Sequence, residues 1–220
     1  MNLLKTSALN GIAILIKTAT MLILNKILAV YVGPSGYAVI GQFQNFVQIM
    51  TAFAGSAVNT AVVKYTAEYY EDEEKQKAIW KTSGSIVFLF SIVISGLLLL
   101  FQKRLSLYIF QSVEYQSVFV WFAIFLVLFN FNILFLAILN GKKEISKLVI
   151  ANIIGSLLSL IITGLLAINF RLYGALIALS IYQSVAFFVT FFICYKSDWF
   201  KISYLFGKID PEVLKKISSF

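Results

Sequence analysis

Six long apolar stretches constrain this chain more than any other feature. Each offers the ~20 mostly apolar residues that an α-helix needs to cross a bilayer, and charged residues lie mainly between them. The chain is 60% hydrophobic and only 13% charged, whereas soluble domains average about 25% charged residues. We therefore predict an all-α integral membrane protein, a six-transmembrane-helix bundle over residues 1–195. The predicted spans are roughly Ser7–Val32, Tyr37–Tyr69, Ala78–Phe101, Tyr115–Asn140, Lys147–Asn169 and Tyr173–Tyr195.

The links between these spans are short. The first is predicted to be a turn, because Pro34 cannot continue a helix and Gly33 and Gly36 relieve the backbone there. The third link, residues 102–114, is amphipathic and is predicted to lie along the membrane interface. The tail, residues 196–220, contains a proline and spaced lysines. We interpret it as a cytoplasmic amphipathic linker rather than a seventh span.

The positive charges predict the orientation of the bundle. The net charge is +8, but the Lys and Arg residues cluster in short links and no nucleic-acid-binding motif is present. If the N-terminus is cytoplasmic, the outer links keep only Lys103, Arg104 and Arg171, and the inner links carry a large excess of lysine. By the positive-inside rule, we predict a multi-pass membrane protein with both termini in the cytoplasm and no nucleic-acid partner.

The residue composition also excludes several kinds of chemistry. The chain has no histidine, and Cys194 is its only cysteine, so an intrachain disulfide and a Cys-rich metal site are excluded. The ten Asp and Glu residues all lie in links, near helix ends or in the tail. Neither a catalytic constellation nor a phosphate-binding loop is found. We therefore predict no enzymatic activity, no metal and no cofactor.

Polar residues inside a span are costly unless they face another helix or a wet cavity. The second span carries five residues spaced 4, 3, 4 and 4, which predicts one continuous helical stripe. They are Gln44, Gln48, Thr51, Gly55 and Asn59. In the first span, Asn10 and Lys17 share a face. Because two glutamines and an asparagine exceed what packing needs, we predict that the stripe faces a wet cavity.

Among these polar residues, Lys17 is the strongest indication of a binding site. It lies near the middle of the first span, and a buried lysine must be paired, hydrated or neutral. No carboxylate is placed at membrane depth to pair with it, so a hydrated cavity that receives an anion would explain its position. The alternative is snorkelling to the inner interface, and for Lys26, nearer the outer end, snorkelling is the favoured interpretation. The candidate substrate-binding residues are Lys17, Asn10, Gln44, Gln48, Asn59 and Lys26.

Polar residues also occur in the last three predicted spans. In the fifth, Gly155, Ser159 and Thr163 form a row of small residues, for which helix–helix packing is the favoured interpretation. The fourth span has Asn130 and Asn132 near its middle, and the sixth has Ser180, Gln183 and Ser184. These residues are not assigned to the candidate site.

The ordered motifs of the chain resemble those of the Wzx-type flippases for O-antigen and enterobacterial common antigen. The matching pieces are Lys17 midway along the first span, NKILAV with Lys26, the Gly-Pro-x-Gly turn and KYTAEY at residues 64–69. The later stretches LNGKKEISKLVIANIIGSL and YGALIALSI are similar to the region of the fourth to sixth spans. These flippases form the polysaccharide transporter family of the MATE-like exporter superfamily. One departure is Gln44, near which such proteins have an arginine.

The resemblance implies a fold and an activity. Such transporters have twelve spans in two six-helix lobes, so this chain would form the N-terminal lobe, with a C-terminal half or a homodimer partner as the second. It implies flipping of an undecaprenyl-diphosphate-linked oligosaccharide to the periplasmic leaflet of the bacterial inner membrane. Membrane lipids and the polysaccharide polymerase machinery are the other partners that it implies. The alternatives are a drug or peptidoglycan-precursor exporter of the superfamily, and a non-transporting assembly or regulatory half-protein.

Overall fold

The computed structural model describes residues 3–217, without the side chains of residues 3–8, 54, 56 and 57. These residues form α-helices and one short 3₁₀ helix, with no strand among them, and the predicted all-α class is confirmed. The α-helices are α1 (Leu3–Tyr31), α2 (Gly33–Glu68), α3 (Glu73–Phe110), α4 (Gln116–Gly141), α5 (Ile145–Tyr195) and α6 (Pro211–Ile217), and the 3₁₀ helix is Ile202–Tyr204.

The long helices are arranged as a membrane bundle. Four of them, α1, α3, α4 and α5, are long and apolar enough to cross a bilayer, and the bent α2 is a fifth. The 51 residues of α5 would reach ~76 Å if straight, more than twice the ~30 Å hydrocarbon core. Instead, α5 reverses at Arg171, where φ is 50° and ψ is −130°.

The two arms of α5, residues 145–170 and 172–195, run antiparallel. Next to the reversal, Gly174 lies directly against the backbone carbonyl of Leu166, and farther out Gly155 faces Ala186. A side chain at Gly174 would overlap that carbonyl, so glycine permits the close return of the chain. With the two arms of α5 counted separately, the long helices form the predicted six-helix bundle.

The first turn is tighter than predicted. α2 begins at Gly33 rather than Tyr37, and only Val32 separates it from α1. Gly33 has a φ of 79°, in the left-handed region that favours glycine. Pro34 stands in the first turn of α2, where a helix does not need the missing N–H.

The third link also differs from its prediction. α3 continues through residues 102–110 and ends at Gln111, whose φ of 52° terminates the helix. Tyr108 is 88% exposed but Phe110 is only 8% exposed. The amphipathic pattern of this segment therefore belongs to the end of α3, which turns one face to the core, and not to a separate surface helix.

Two apolar clusters hold the bundle together, one at each end. The Arg171 end is where α1 meets α2, α3 meets α4 and α5 reverses, and its cluster centres on Phe43, Phe119 and Phe122. The tail end is where α2 meets α3 and α4 meets α5, and its cluster centres on Trp80 and Phe135. Aromatic rings meet edge to face in both clusters, with centroids 5.6–6.2 Å apart for Phe43 with Phe119 and Phe122 and for Phe135 with Phe200, an arrangement favoured by ring quadrupoles.

The tail packs on the tail end of the bundle. Phe200, Leu205 and Val213 are buried in the tail-end cluster, and the Asp210 backbone N–H donates to Thr82 Oγ1 at 3.2 Å. The backbone at Leu205 passes so close to Gly84 that a side chain there would overlap its carbonyl oxygen. The described tail is thus docked on α3. Residues 218–220 lie outside the described part, and the prediction that this segment links to a second lobe stays a prediction.

Candidate functional site

A cleft of about 660 Å³ runs along α1 between the other helices. Its lining extends from Asn10 to Leu24 on α1, about 21 Å at the rise of an α-helix. α5 contributes most of the opposite wall through both of its arms, α2 contributes Gln44, and α4 contributes Asn132 and Leu136. Beyond Leu24, Leu28 is buried in the apolar cluster of the Arg171 end, so the polar part of the cleft lies toward the tail end.

Lys17 and Gln44 lie at the same depth in the bundle. α1 and α2 are antiparallel, and their register is fixed by the Tyr37 hydroxyl, which donates to Asn25 Oδ1 at 3.1 Å. Gln44 is seven residues from Tyr37 and Lys17 is eight residues from Asn25, which corresponds to about 11 Å and about 12 Å along the two axes. The cation and the amide therefore lie at about the same depth, and both line the cleft.

Asn152 and Ser156 lie at this depth as well. The first arm of α5 runs parallel to α1, and Gly164 lies against Ile27. Ten residues back from that contact, or about 15 Å, Lys17 is level with residue 154. Asn152 and Ser156 flank this level and also line the cleft. Polar groups from three elements thus form one belt near the middle of the helices.

Lys17 is the only charged residue among the described residues that line the cleft. It is exposed, and no ion pair of the described residues involves it. No group of three or more Cys, Asp and Glu residues that could hold a metal ion exists in the described ranges. The cleft therefore offers one cation, surrounded by amides and hydroxyls, to an anionic ligand.

Four polar side chains of α4 and α5 also line the cleft and form a hydrogen-bonded chain. Thr190 Oγ1 donates to Asn132 Oδ1 at 2.7 Å, and Asn132 Nδ2 donates to Gln183 Oε1 at 2.6 Å. Gln183 Nε2 then donates to the hydroxyl oxygen of Tyr182 at 3.3 Å. Sequence reasoning missed this wall. Its only signal was the amides Asn130 and Asn132 in one span and Gln183 in another, and the pairing of Asn132 with Gln183 exists only once α4 and α5 are side by side.

The other three candidate residues lie outside the cleft lining. Lys26 and Gln48 are exposed elsewhere on α1 and α2. α2 bends by 52° between residues 33–53 and 58–68, and this bend separates Asn59 from Gln44. Asn59 is partly buried, and its Oδ1 atom has no hydrogen-bond partner in the described structure. The structure thus brings Asn10, Lys17 and Gln44 together, and their binding role stays a prediction.

Comparison with known proteins places the chain in a family. The family model for "Polysaccharide biosynthesis protein" matches residues 3–220. The chain belongs to this family. This membership confirms the predicted resemblance to the polysaccharide transporters.

Two curated proteins are similar to the chain over its whole length. Lipid III flippase of Escherichia coli strain K12 and lipid III flippase of Shigella flexneri are each 25% identical to the chain over 225 residues. The alignment covers 100% of this chain and 53% of each relative. The chain therefore spans about half the length of the curated relatives it matches.

A solved structure supports the fold. A crystal structure of a MATE mutant matches 97% of this chain with a TM-score of 0.64 and 19% sequence identity. The match covers 50% of that chain. At this identity the likeness shows the fold alone, and it confirms the predicted MATE-like lobe.

Proposed function

We propose that the chain is one lobe of a transporter that flips a lipid-linked glycan across the bacterial inner membrane. The substrate would be an undecaprenyl-diphosphate-linked oligosaccharide moving from the cytoplasmic to the periplasmic leaflet. The observation that carries this proposal is the unpaired Lys17 in the polar belt of the cleft. The family membership and the two flippases that resemble the chain support it.

The chemistry of the cleft fits this substrate. A diphosphate is strongly anionic, and its passage through the middle of a bilayer needs a cation and a hydrated path. Lys17 can supply the cation, and Asn10 and Gln44 can bind sugar hydroxyls with their amides. Because Asn10 and Lys17 lie on α1 and Gln44 lies on α2, the ligand would be held between two helices.

The second half of the transporter would complete the cleft. The relatives are about twice as long as this chain, which fits a second six-helix lobe facing the first. The lysine-rich tail end would be cytoplasmic by the positive-inside rule, so the polar part of the cleft would open to the leaflet in which the substrate is made. Rocking of the two lobes would then open it to the other side, as in transporters with repeated halves.

A drug exporter of the same fold has less support. The charge of the described cleft lining is positive, which attracts anions and repels cationic drugs. A glycosyltransferase is disfavoured because no carboxylate lies in that lining. The site therefore favours a transporter of an anionic lipid over an enzyme.

The experiment that tests this proposal removes the positive charge of Lys17. In cells that lack the chromosomal copy, the wild-type full-length gene should restore surface polysaccharide. Lys17→Gln should reduce export about tenfold or more at equal expression, because a hydrogen bond to a charged group is lost. Lys17→Arg should retain most of the export, since it keeps the charge. Export is measured as surface polysaccharide per molecule of transporter in the membrane.

Lys26→Gln provides the comparison. It makes the same chemical change in the same helix, but at a position outside the cleft lining. A larger loss for Lys17→Gln than for Lys26→Gln supports an anion site in the cleft. Normal export by Lys17→Gln, or equal losses from the two variants, would contradict it.

A further inference from the structure

The Tyr182 hydroxyl has hydrogen-bonding capacity that the protein does not use. A phenol donates one hydrogen bond and accepts others. In the described structure its one hydrogen bond is the one that it accepts from Gln183 Nε2, so its own hydrogen is left for a group in the cleft.

The hydrogen-bonded chain can also run in the opposite direction. Thr190 Oγ1 lies 3.1 Å from the carbonyl oxygen of Ala186 and can donate to it instead. With Asn132 and Gln183 both reversed, Tyr182 would donate to Gln183 and keep a lone pair open to the cleft. In either direction, one hydrogen bond of the phenol remains for a ligand.

The phenol is also held in place. The ring of Phe129 packs against the Tyr182 ring at a centroid distance of 6.5 Å and an angle of 74°, and Gln183 holds the hydroxyl end. A group that is fixed before the ligand arrives loses little conformational freedom on binding. This position therefore suits selective contact with a ligand.

Tyr182 lies deeper in the cleft than Lys17. Because Gly155 faces Ala186, Tyr182 is level with residue 159 of the first arm of α5, and Lys17 is level with residue 154. The difference of five residues is ~7.5 Å toward the Arg171 end. This distance is short enough for a ligand whose phosphate contacts Lys17 to reach Tyr182 with its attached sugar.

We propose that the Tyr182 hydroxyl is a saccharide subsite, which binds a hydroxyl group of the sugar attached to the diphosphate. A sugar hydroxyl both donates and accepts hydrogen bonds, and it matches a phenol that can do either. The inference rests on the proposed function and adds to it: Lys17 selects the phosphate, and Tyr182, fixed by Gln183, Asn132 and Thr190, selects the sugar.

The test compares two lipids that differ only in the sugar. The probes are undecaprenyl diphosphate and undecaprenyl-diphosphate-linked N-acetylglucosamine, and each is bound to the purified full-length protein in nanodiscs. Tyr182→Phe removes the hydroxyl and keeps the ring. It should weaken binding of the sugar-bearing lipid about tenfold, as loss of one buried hydrogen bond does, and leave undecaprenyl diphosphate binding unchanged.

Two further variants serve as a matched control and as a second test of the subsite. Tyr173→Phe makes the same change at a tyrosine that bonds Ser117 at 2.9 Å outside the cleft lining, and it should change neither affinity. Gln183→Met preserves volume but breaks the hydrogen-bonded chain, and it should reproduce the selective loss. This variant also decides the case if Tyr182→Phe fails to fold.

The outcomes separate the two proposals. If the wild-type protein binds neither lipid, the proposed function fails and this inference fails with it. If it binds both lipids and Tyr182→Phe weakens both equally or neither, only the saccharide subsite is overturned. Selective loss of the sugar-bearing lipid in Tyr182→Phe supports the subsite.

Discussion

In a membrane bundle, the role of a polar residue depends on its depth in the bilayer and on its neighbours. Lys17 and Lys26 stand in the same apolar helix, and the sequence alone could place one near mid-span and the other near an end. It could not show that Gln44 and Asn152 would lie level with Lys17, because that depends on the register of α2 and α5 against α1. The candidate site was therefore half visible in the sequence: the cation was recognised, and most of its surroundings were not.

Replacing Gly174, at the reversal of α5, is predicted to lower the stability of the protein. Gly174→Ala would push a methyl group into the Leu166 carbonyl, and overpacking of this kind costs about 1–3 kcal/mol. Cys194, the only cysteine, is fully buried, so a thiol-reactive dye reports its exposure on unfolding. We expect a lower midpoint of thermal unfolding in this assay for Gly174→Ala than for the wild type.

Gly155→Ala is the matched control in the same element. Its added methyl would meet Ala186 at an ordinary contact distance of 3.8 Å, and alanine is the better helix former. Its midpoint should stay near that of the wild type or rise slightly. A shift as large as that of Gly174→Ala would show that any glycine replacement in α5 is harmful, and the argument from the close return would be wrong.

At the scale of elements, the prediction was best where the sequence pattern is long and worst where helices bend. All five long helices were expected, and the reversal of α5 was expected within residues 170–172. The stripe from Gln44 to Asn59 assumed that α2 is straight. The 52° bend has no proline to predict it, and it separates Asn59 from Gln44. Gln48 lies on the same side of the bend as Gln44 but is outside the cleft lining.

The docked tail gives a second prediction. Gly84→Ala would overlap the Leu205 carbonyl, and the tail can relieve this overlap by lifting from α3. If undocking becomes easier by ~1.4 kcal/mol, backbone amides in residues 202–217 should exchange roughly tenfold faster. The measurement is hydrogen–deuterium exchange of tail peptides, followed by mass spectrometry.

The control for the tail lies in the same helix. No neighbouring atom lies within 4 Å of a methyl group added at Gly96, so Gly96→Ala should leave exchange in the tail unchanged. Unchanged exchange in Gly84→Ala would mean that α3 yields instead of the tail. In that case the contacts of Phe200 and Leu205 would hold the tail more firmly than α3 holds its own position, and the predicted undocking would be wrong.

At the scale of the whole molecule, the class of fold was predictable because it rests on composition and segment length. Those quantities are properties of the chain that do not depend on how the helices pack. The cleft is different, since its walls come from four helices and the apolar cluster beyond Leu24 includes Leu28 and Leu176. Membrane orientation stays a prediction, which rests on where the lysines fall along the chain.

That orientation can be measured directly. In a Cys194→Ser background, Lys103→Cys places a thiol near the Arg171 end and Lys143→Cys places one at the tail end, and both positions are exposed. The positive-inside rule predicts that a membrane-impermeant maleimide labels the first variant in intact cells and the second only after the inner membrane is permeabilised. The reverse pattern would put the polar half of the cleft on the periplasmic side. A flippase that collects its substrate from the cytoplasmic leaflet would then need to open at the Arg171 end, where Leu28 and Leu176 are packed.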